Sequence, residues 1–395
     1  MNFATIDLDA DTVAFWAEVR AFFDEHVTDE VLENERMHGG GFDEGLHLAM
    51  GQRGWVAPRW APEDGGAGLD GRKASIISRE LGRSGAPTIL TTTTLLPPVA
   101  IRMFANDEVK AEVLPKVADG TVRVCLGYTE PDCGSDLAAV RTRAERDGDE
   151  WLINGTKMFT TGAQFCQYCF LLARTDPELP KHKGLTVFLV PLDLPGIEIR
   201  PVETLGGERT NFVYLEDVRV ADKYRLGAVN DGWNVVSAPL KQEHGMGDSD
   251  GASGNAAGSL YTRNLARFYE AAVEWAKQTA DPDGGSTDAR QIDRADVRAD
   301  LATVALGIAM ATAAPGPHGR NLAADLIIRD ATVLFDLIGP TALISHGQPD
   351  APLNGLADYV FRYAPGTAIY GGTTDIHRNM IAEQFLGLPR STPRG

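Results

Sequence analysis

No stretch of about 18 consecutive apolar residues, the length a helix needs to cross a bilayer, occurs in this chain, so no membrane span is expected. The first residues, "MNFATIDLDADTVAFWAEV", lack the basic segment and apolar core of a secretory signal, and the expected compartment is the cytoplasm. A basic stripe interleaved with aromatics is also missing, and the net charge is −18, which argues against nucleic-acid binding and for solubility. An anionic ligand would have to be met by local Arg and Lys against that field. Cysteine is scarce, with 4 in 395 residues. Cys166 and Cys169 form a C-x-x-C that could join Cys125 and Cys133 in a metal site. However, "FCQYCFLLAR" reads as a buried strand in which Cys serves as a small hydrophobe, and no metal is expected. No internal repeat is visible.

What is present changes texture twice. Residues 11–28 place apolar side chains at a helical period, with Asp11 as the expected N-cap, and further helical patterns follow to about residue 120. From about 121 to 230 the chain turns to short runs of β-branched and aromatic residues separated by turn signals such as "RDGDE" and "NGT". Long amphipathic or apolar helices return from Asp231, interrupted by the Gly-rich "GMGDSDGASGNAAG" and "DPDGGSTDAR". The expected fold is α+β and multidomain: an all-α N-terminal domain over 1–120, a central β-barrel or sandwich over 121–230, and a C-terminal four-helix bundle over 231–395.

Three segments carry candidate chemistry. "LGYTEPDCGSDL" (126–137) offers hydroxyls and backbone N–H groups in a loop between strands. "KMFTTGA" (157–163) sets an aromatic before two threonines, suited to stacking on a flat ring and bonding its rim. "IYGGTTDIHRNM" (369–380) is a polar, glycine-rich loop between helical patterns. In this order, within an α–β–α chain, they resemble the acyl-CoA dehydrogenase family over nearly the whole length. "YTEPDCGSDL" is similar to its "TEPxxGSD", "INGTKMFTTGA" to "NGxKxWITNG", and "IYGGTTDIHRNMIAE" to "YGGTSEIQRNIIAE".

The resemblance implies FAD as cofactor and α,β-dehydrogenation of an acyl-CoA or related thioester, in lipid metabolism. An electron-transfer flavoprotein or similar acceptor, and assembly as a homo- or hetero-oligomer (dimer or tetramer), are implied as well. Carried over position by position, Leu126, Tyr128, Thr129, Gly134, Ser135, Phe159, Thr160, Thr161, Thr373 and Asp375 would bind the cofactor. Phe159 stands where the family usually has Trp. Ser135, Tyr370, Gly371, Gly372 and His244 would meet the substrate. The reaction needs a carboxylate to remove the α-proton while the β-hydrogen leaves as hydride, and that base should be desolvated, with its pKa raised.

Many members carry the base as Glu in "YEGT", where this chain has Gly371. A branch acting on branched acyl chains places it in an "LxxER" pattern, matched here by "PLKQEHG", so Glu243 is the candidate base. Trp233, Val236 and Leu240 share its helical face. Three departures stand against the family pattern. His244 replaces the usual Arg, the Gly-rich 245–258 should break the helix, and the "RxxFGxxL" and "QxxGGxGY" segments are absent, with Arg263, Arg267 and Phe268 only in the general region. Two alternatives therefore stay open: a non-catalytic partner subunit, or a flavin oxidase or monooxygenase of the same fold. Glu130, Asp375 and Glu383 are the fallback bases.

Overall fold

The computed structural model describes residues 8–243, 256–284, 288–314 and 316–389. The chain divides into two compact units, 1–204 with 208–241 and 250–252, and 205–207 with 242–249 and 253–395.

The first unit opens with α1 (Ala10–His26), α2 (Asp29–His38), α3 (Glu44–Gln52), α4 (Gly71–Ser84), α5 (Ile89–Thr94), α6 (Pro97–Phe104) and α7 (Asp107–Ala118). Short polar side chains start all of these helices but α5 and α6 by accepting otherwise unpaired N–H groups of the first turn. Asp9, rather than Asp11, caps α1 through Thr12 N at 2.8 Å; Asp43 caps α3 through Leu46 N at 2.8 Å, and Asn106 caps α7 through Val109 N at 2.9 Å. A core of Val19, Phe22, Phe23, Leu46, Met50, Trp55, Ile76 and Ile77 holds α1, α3 and α4 together.

The strands follow: β1 (Val124–Gly127), β2 (Arg143–Asp147), β3 (Glu150–Lys157), β4 (Tyr168–Arg174), β5 (Leu185–Pro191), β6 (Ile197–Glu203), β7 (Arg209–Ala221) and β8 (Arg225–Leu226). They form one sheet in the order β6-β7-β3-β2-β4-β5-β8, with β1 pairing parallel to β4. The expected barrel is therefore corrected to an open sheet. The pairing of β2 with β4 is limited to Arg143 with Arg174, β8 is two residues long, and β6 and β8 end the strand order without pairing to each other.

Strands β4 and β5 are apolar on both faces because each face meets a core, which is why they read as continuous hydrophobic runs. Phe170, Leu172, Val187 and Leu189 join α6 and α7 residues such as Ile101 and Val113. The alternate residues Leu171, Phe188 and Val190 join Trp151 and Ile153 of β3 and Val213 and Val218 of β7. A strand bends where its register shifts. A register shift between Ile153 and Gly155, opposite Asp217 at φ 51°, marks one such bend.

Helix α8 (Gly232–Glu243) packs Val235 and Val236, with Trp233 and Leu240 beside them, on the core of β4 and β5, and its last two residues fall in the second unit. That unit continues with α9 (Ala256–Gln278), α10 (Ala295–Ala313), α11 (Gly316–Ile338), α12 (Leu356–Tyr363) and α13 (Thr374–Met380). Three long helices, α9, α10 and α11, share a core of Leu265, Phe268, Leu301, Val304, Ile327 and Leu334, joined by Val360 and Tyr363 of the short α12. The expected four long helices are thus three long helices and one short one among the described residues, because α8 spends its apolar face on the first unit's core. The Gly-rich interruption after Glu243 lies mostly outside the described residues. No helix among them is long and apolar enough to cross a membrane.

Candidate functional site

In the first unit, the loops 128–135 and 157–161 lie side by side. Met158 N donates to Thr129 O at 2.8 Å, and Glu130 and Cys133 exchange backbone hydrogen bonds that close the turn between them. Phe159 is the outlier of this region. It sits at φ 58°, a left-handed conformation that costs a bulky side chain about 1–2 kcal/mol. It also leaves 53% of its surface exposed. Its neighbours lock it there: Thr160 N donates to Asn211 O at 2.9 Å, and Asn211 Nδ2 donates back to Thr160 O at 2.9 Å and to Gln164 Oε1 at 2.7 Å. Backbone strain held in place by its surroundings clusters at ligand sites, which makes Phe159 a candidate.

Of the other residues named from sequence in this unit, Thr129, Gly134, Ser135 and Thr161 keep part of their surface open, and Thr161 Oγ1 lies 3.2 Å from Thr210 Oγ1. Leu126 packs against the core, Tyr128 is buried edge-on to Phe170, and Thr160 is fully buried. Thr160 offers a ligand its backbone rather than its side chain. Glu130, a fallback base in sequence, is buried and ion-paired with Lys157 at 2.8 Å, which removes it as a proton acceptor. Burial pushes its carboxyl up, but the Lys157 charge and the N–H groups of Thr142 and Arg141 outweigh burial and hold it below the usual range.

In the second unit, Glu243 ends α8 half-buried, and burial pushes its carboxyl up to about 7 while the Arg320 charge pulls the other way. Arg320, on α11 and 1% exposed, donates to Thr367 O at 2.5 Å and to Tyr370 O at 2.6 Å. It therefore fixes the start of the glycine-rich loop and places its charge near Glu243. His377 is buried, and its Nε2 bonds Gly371 O at 3.0 Å, so that nitrogen carries the proton. Burial and the Arg320 charge lower its pKa, against the pull of the Gly371 and Gly372 carbonyls. Tyr370 Oη donates to Tyr363 Oη at 2.7 Å. Gly371 and Gly372 take φ of 64° and 82°, which glycine adopts without strain. Thr373 caps α13, and Asp375 is exposed and paired with Arg378 at 3.2 Å. His244 lies outside the described residues.

Arg320, His377 and Lys157 were not singled out from sequence. His377 stood where the resembled pattern has Gln, and Lys157 stood inside the quoted "NGTKM"; both substitution and context were legible there. Arg320 lies in the second turn of α11 with no motif around it, and only tertiary structure reveals its partners. Among the described residues, no group of three or more His, Cys, Asp and Glu could hold a metal.

The family description "Acyl-CoA dehydrogenase, N-terminal domain" matches residues 9–121 and "Acyl-CoA dehydrogenase, middle domain" matches 125–218. Acyl-CoA dehydrogenase IpdE1 of Mycobacterium tuberculosis is 34% identical, covering 96% of this chain and 98% of the relative. Among solved structures, the Tcur3481-Tcur3483 steroid ACAD aligns with a TM-score of 0.82 at 29% identity, covering 98% of this chain and 100% of that one. The ChsE4-ChsE5 complex from Mycobacterium tuberculosis aligns with a TM-score of 0.79 at 29% identity, again covering 98% and 100%. The chain belongs to the acyl-CoA dehydrogenase family of flavoprotein oxidoreductases.

Proposed function

We propose that this acyl-CoA dehydrogenase uses Glu243 to remove the α-proton of a bulky or branched acyl-CoA thioester, with FAD held by the loops around Phe159 and Thr129. The observation that carries the reading is Glu243 itself: half-buried, pushed up to about 7, in a chain whose loop has Gly371 where other members carry a carboxylate. A base poised near working pH combines adequate ionisation with proton-abstracting strength.

The residues present suit the cofactor. The Phe159 ring is exposed and locked in a strained backbone, and the Thr161 hydroxyl lies two residues beyond it in the same loop. FAD, when bound, supplies the acceptor for the β-hydrogen as hydride. The chain's own residues do the rest. Glu243 accepts the α-proton in its ionised form. Arg320 offsets part of the burial cost of that charge and, through the Tyr370 and Thr367 carbonyls, holds the loop that carries Gly371 and Gly372. Two glycines in that loop leave its side free of side chains, which fits a branched or ring-containing acyl group. The resemblance to a steroid ACAD supports that substrate class, and the resemblance to a two-component complex supports assembly into an oligomer.

The test is Glu243→Gln. Turnover should vanish while the protein stays yellow with an unchanged flavin spectrum; retained turnover would move the base elsewhere. Comparison of butyryl-CoA with branched and cyclic acyl-CoA esters tests the substrate class, which fails if the straight chain is oxidised far faster.

A further inference from the structure

Lys157 and Glu130 form an ion pair that the proposed chemistry does not use. The Lys157 side chain is 0% exposed and that of Glu130 5%. The ammonium has three N–H donors and directs them to Glu130 Oε1 at 2.8 Å, Leu172 O at 2.7 Å and Tyr128 O at 3.3 Å. Glu130 accepts in addition from Thr142 N at 2.8 Å, through Oε1, and from Arg141 N at 2.6 Å, through Oε2. A single pair thus joins four pieces of chain: the 128–133 loop, the end of β3, the middle of β4, and the entry to β2.

A buried ion pair is a weak source of stability, and well-packed apolar residues of similar volume often serve as well or better. Its directional hydrogen bonds are what apolar residues cannot supply. Here those bonds end on the backbone of Tyr128, one residue before Thr129, and the lysine itself lies two residues before Phe159. The strained Phe159 conformation persists only if its surroundings over-determine it, and Met158 N on Thr129 O ties its segment to the same loop.

We propose that Lys157 and Glu130 are positioning residues that hold the 128–135 and 157–161 loops in register to receive the flavin. This rests on the reading that FAD contacts those loops. Removing one partner leaves a buried charge alone and weakens both fold and site. Removing both restores the fold but not the register.

Lys157→Met, Glu130→Leu and the double variant, each stripped of FAD, distinguish these effects. Melting temperature and FAD affinity by titration are measured beside wild type and Phe159→Ala. Both single variants should melt lower. The double variant should recover most of the wild-type melting temperature, yet bind FAD at least about tenfold more weakly. If it binds FAD as wild type does, while Phe159→Ala binds more weakly, the inference is overturned and the reading stands. If wild type and Phe159→Ala bind FAD equally, or wild type binds none, the reading fails and the inference with it. Should the double variant not fold, hydrogen exchange on Glu130→Gln decides. Faster exchange at the Met158 and Thr160 amides, with β4 unchanged, supports the positioning role, and unchanged exchange at both overturns it.

Discussion

Glu130 and Glu243 are the same side chain under opposite electrostatic orders. Burial raises the pKa of both. Glu130 ends below the usual range because a lysine and two backbone N–H groups converge on it at 2.6–2.8 Å. Glu243 ends near 7 because burial outweighs the Arg320 charge that opposes it. Desolvation alone does not make a base. What matters is desolvation without a partner close enough to neutralise it.

The largest effect that can break this contrast is Glu243→Gln. Loss of a general base should lower kcat by about 10²–10⁴-fold, read in steady-state turnover, while Glu130→Gln should leave the pH midpoint of whatever activity remains where it was. Next in size, Lys157→Met strands the Glu130 carboxylate and should destabilise the protein by about 3–5 kcal/mol in urea unfolding.

The pH dependence sharpens the contrast further. On the proposed mechanism Glu243 acts in its ionised form, so kcat should rise as pH increases through about 7. Its folded pKa lies above the unfolded value of 4.5, so its contribution to stability is intact below about 4.5 and lost as pH rises through about 7. Glu243→Gln should therefore be relatively more stable than wild type at pH 8 than at pH 5, by thermal unfolding. Glu130 has the opposite sign: stability from its pairing is present above its unfolded value and lost as pH falls. Arg320→Gln removes the opposing charge and should move the kinetic midpoint upward. The smallest effect belongs to Phe159→Gly, which relieves the left-handed strain and should leave the cofactor-free protein as stable as wild type or about 1 kcal/mol more stable, while weakening FAD binding.

The order of helical and β segments was legible because β4 and β5 are continuous apolar runs and the helices keep their period and caps. Sheet closure was not, since it depends on which edge strands meet, and the two-residue β8 leaves no trace in periodicity. In the candidate site, the segments singled out from sequence contain the positive-φ positions Phe159 and Gly371. The site was hidden where a role depends on partners distant in sequence. Arg320 reaches carbonyls 47 and 50 residues away, and Lys157 reaches Glu130 over 27. Nor does sequence separate side chains that face a ligand from those that face the core, as Tyr128 and Thr160 show.

The backbone at Gly371 limits what can stand in its place. At φ 64°, any other residue there carries strain of about 1–2 kcal/mol unless the loop is rebuilt. The carbonyl of that residue is already engaged by His377, and the preceding one by Arg320. A carboxylate side chain placed at 371 would meet a backbone strain that glycine avoids, and relieving it would disturb both carbonyl contacts. On the proposed reading, a base on α8 and a glycine-rich loop at 371–372 are therefore two halves of one arrangement, and moving the base would mean reshaping the loop.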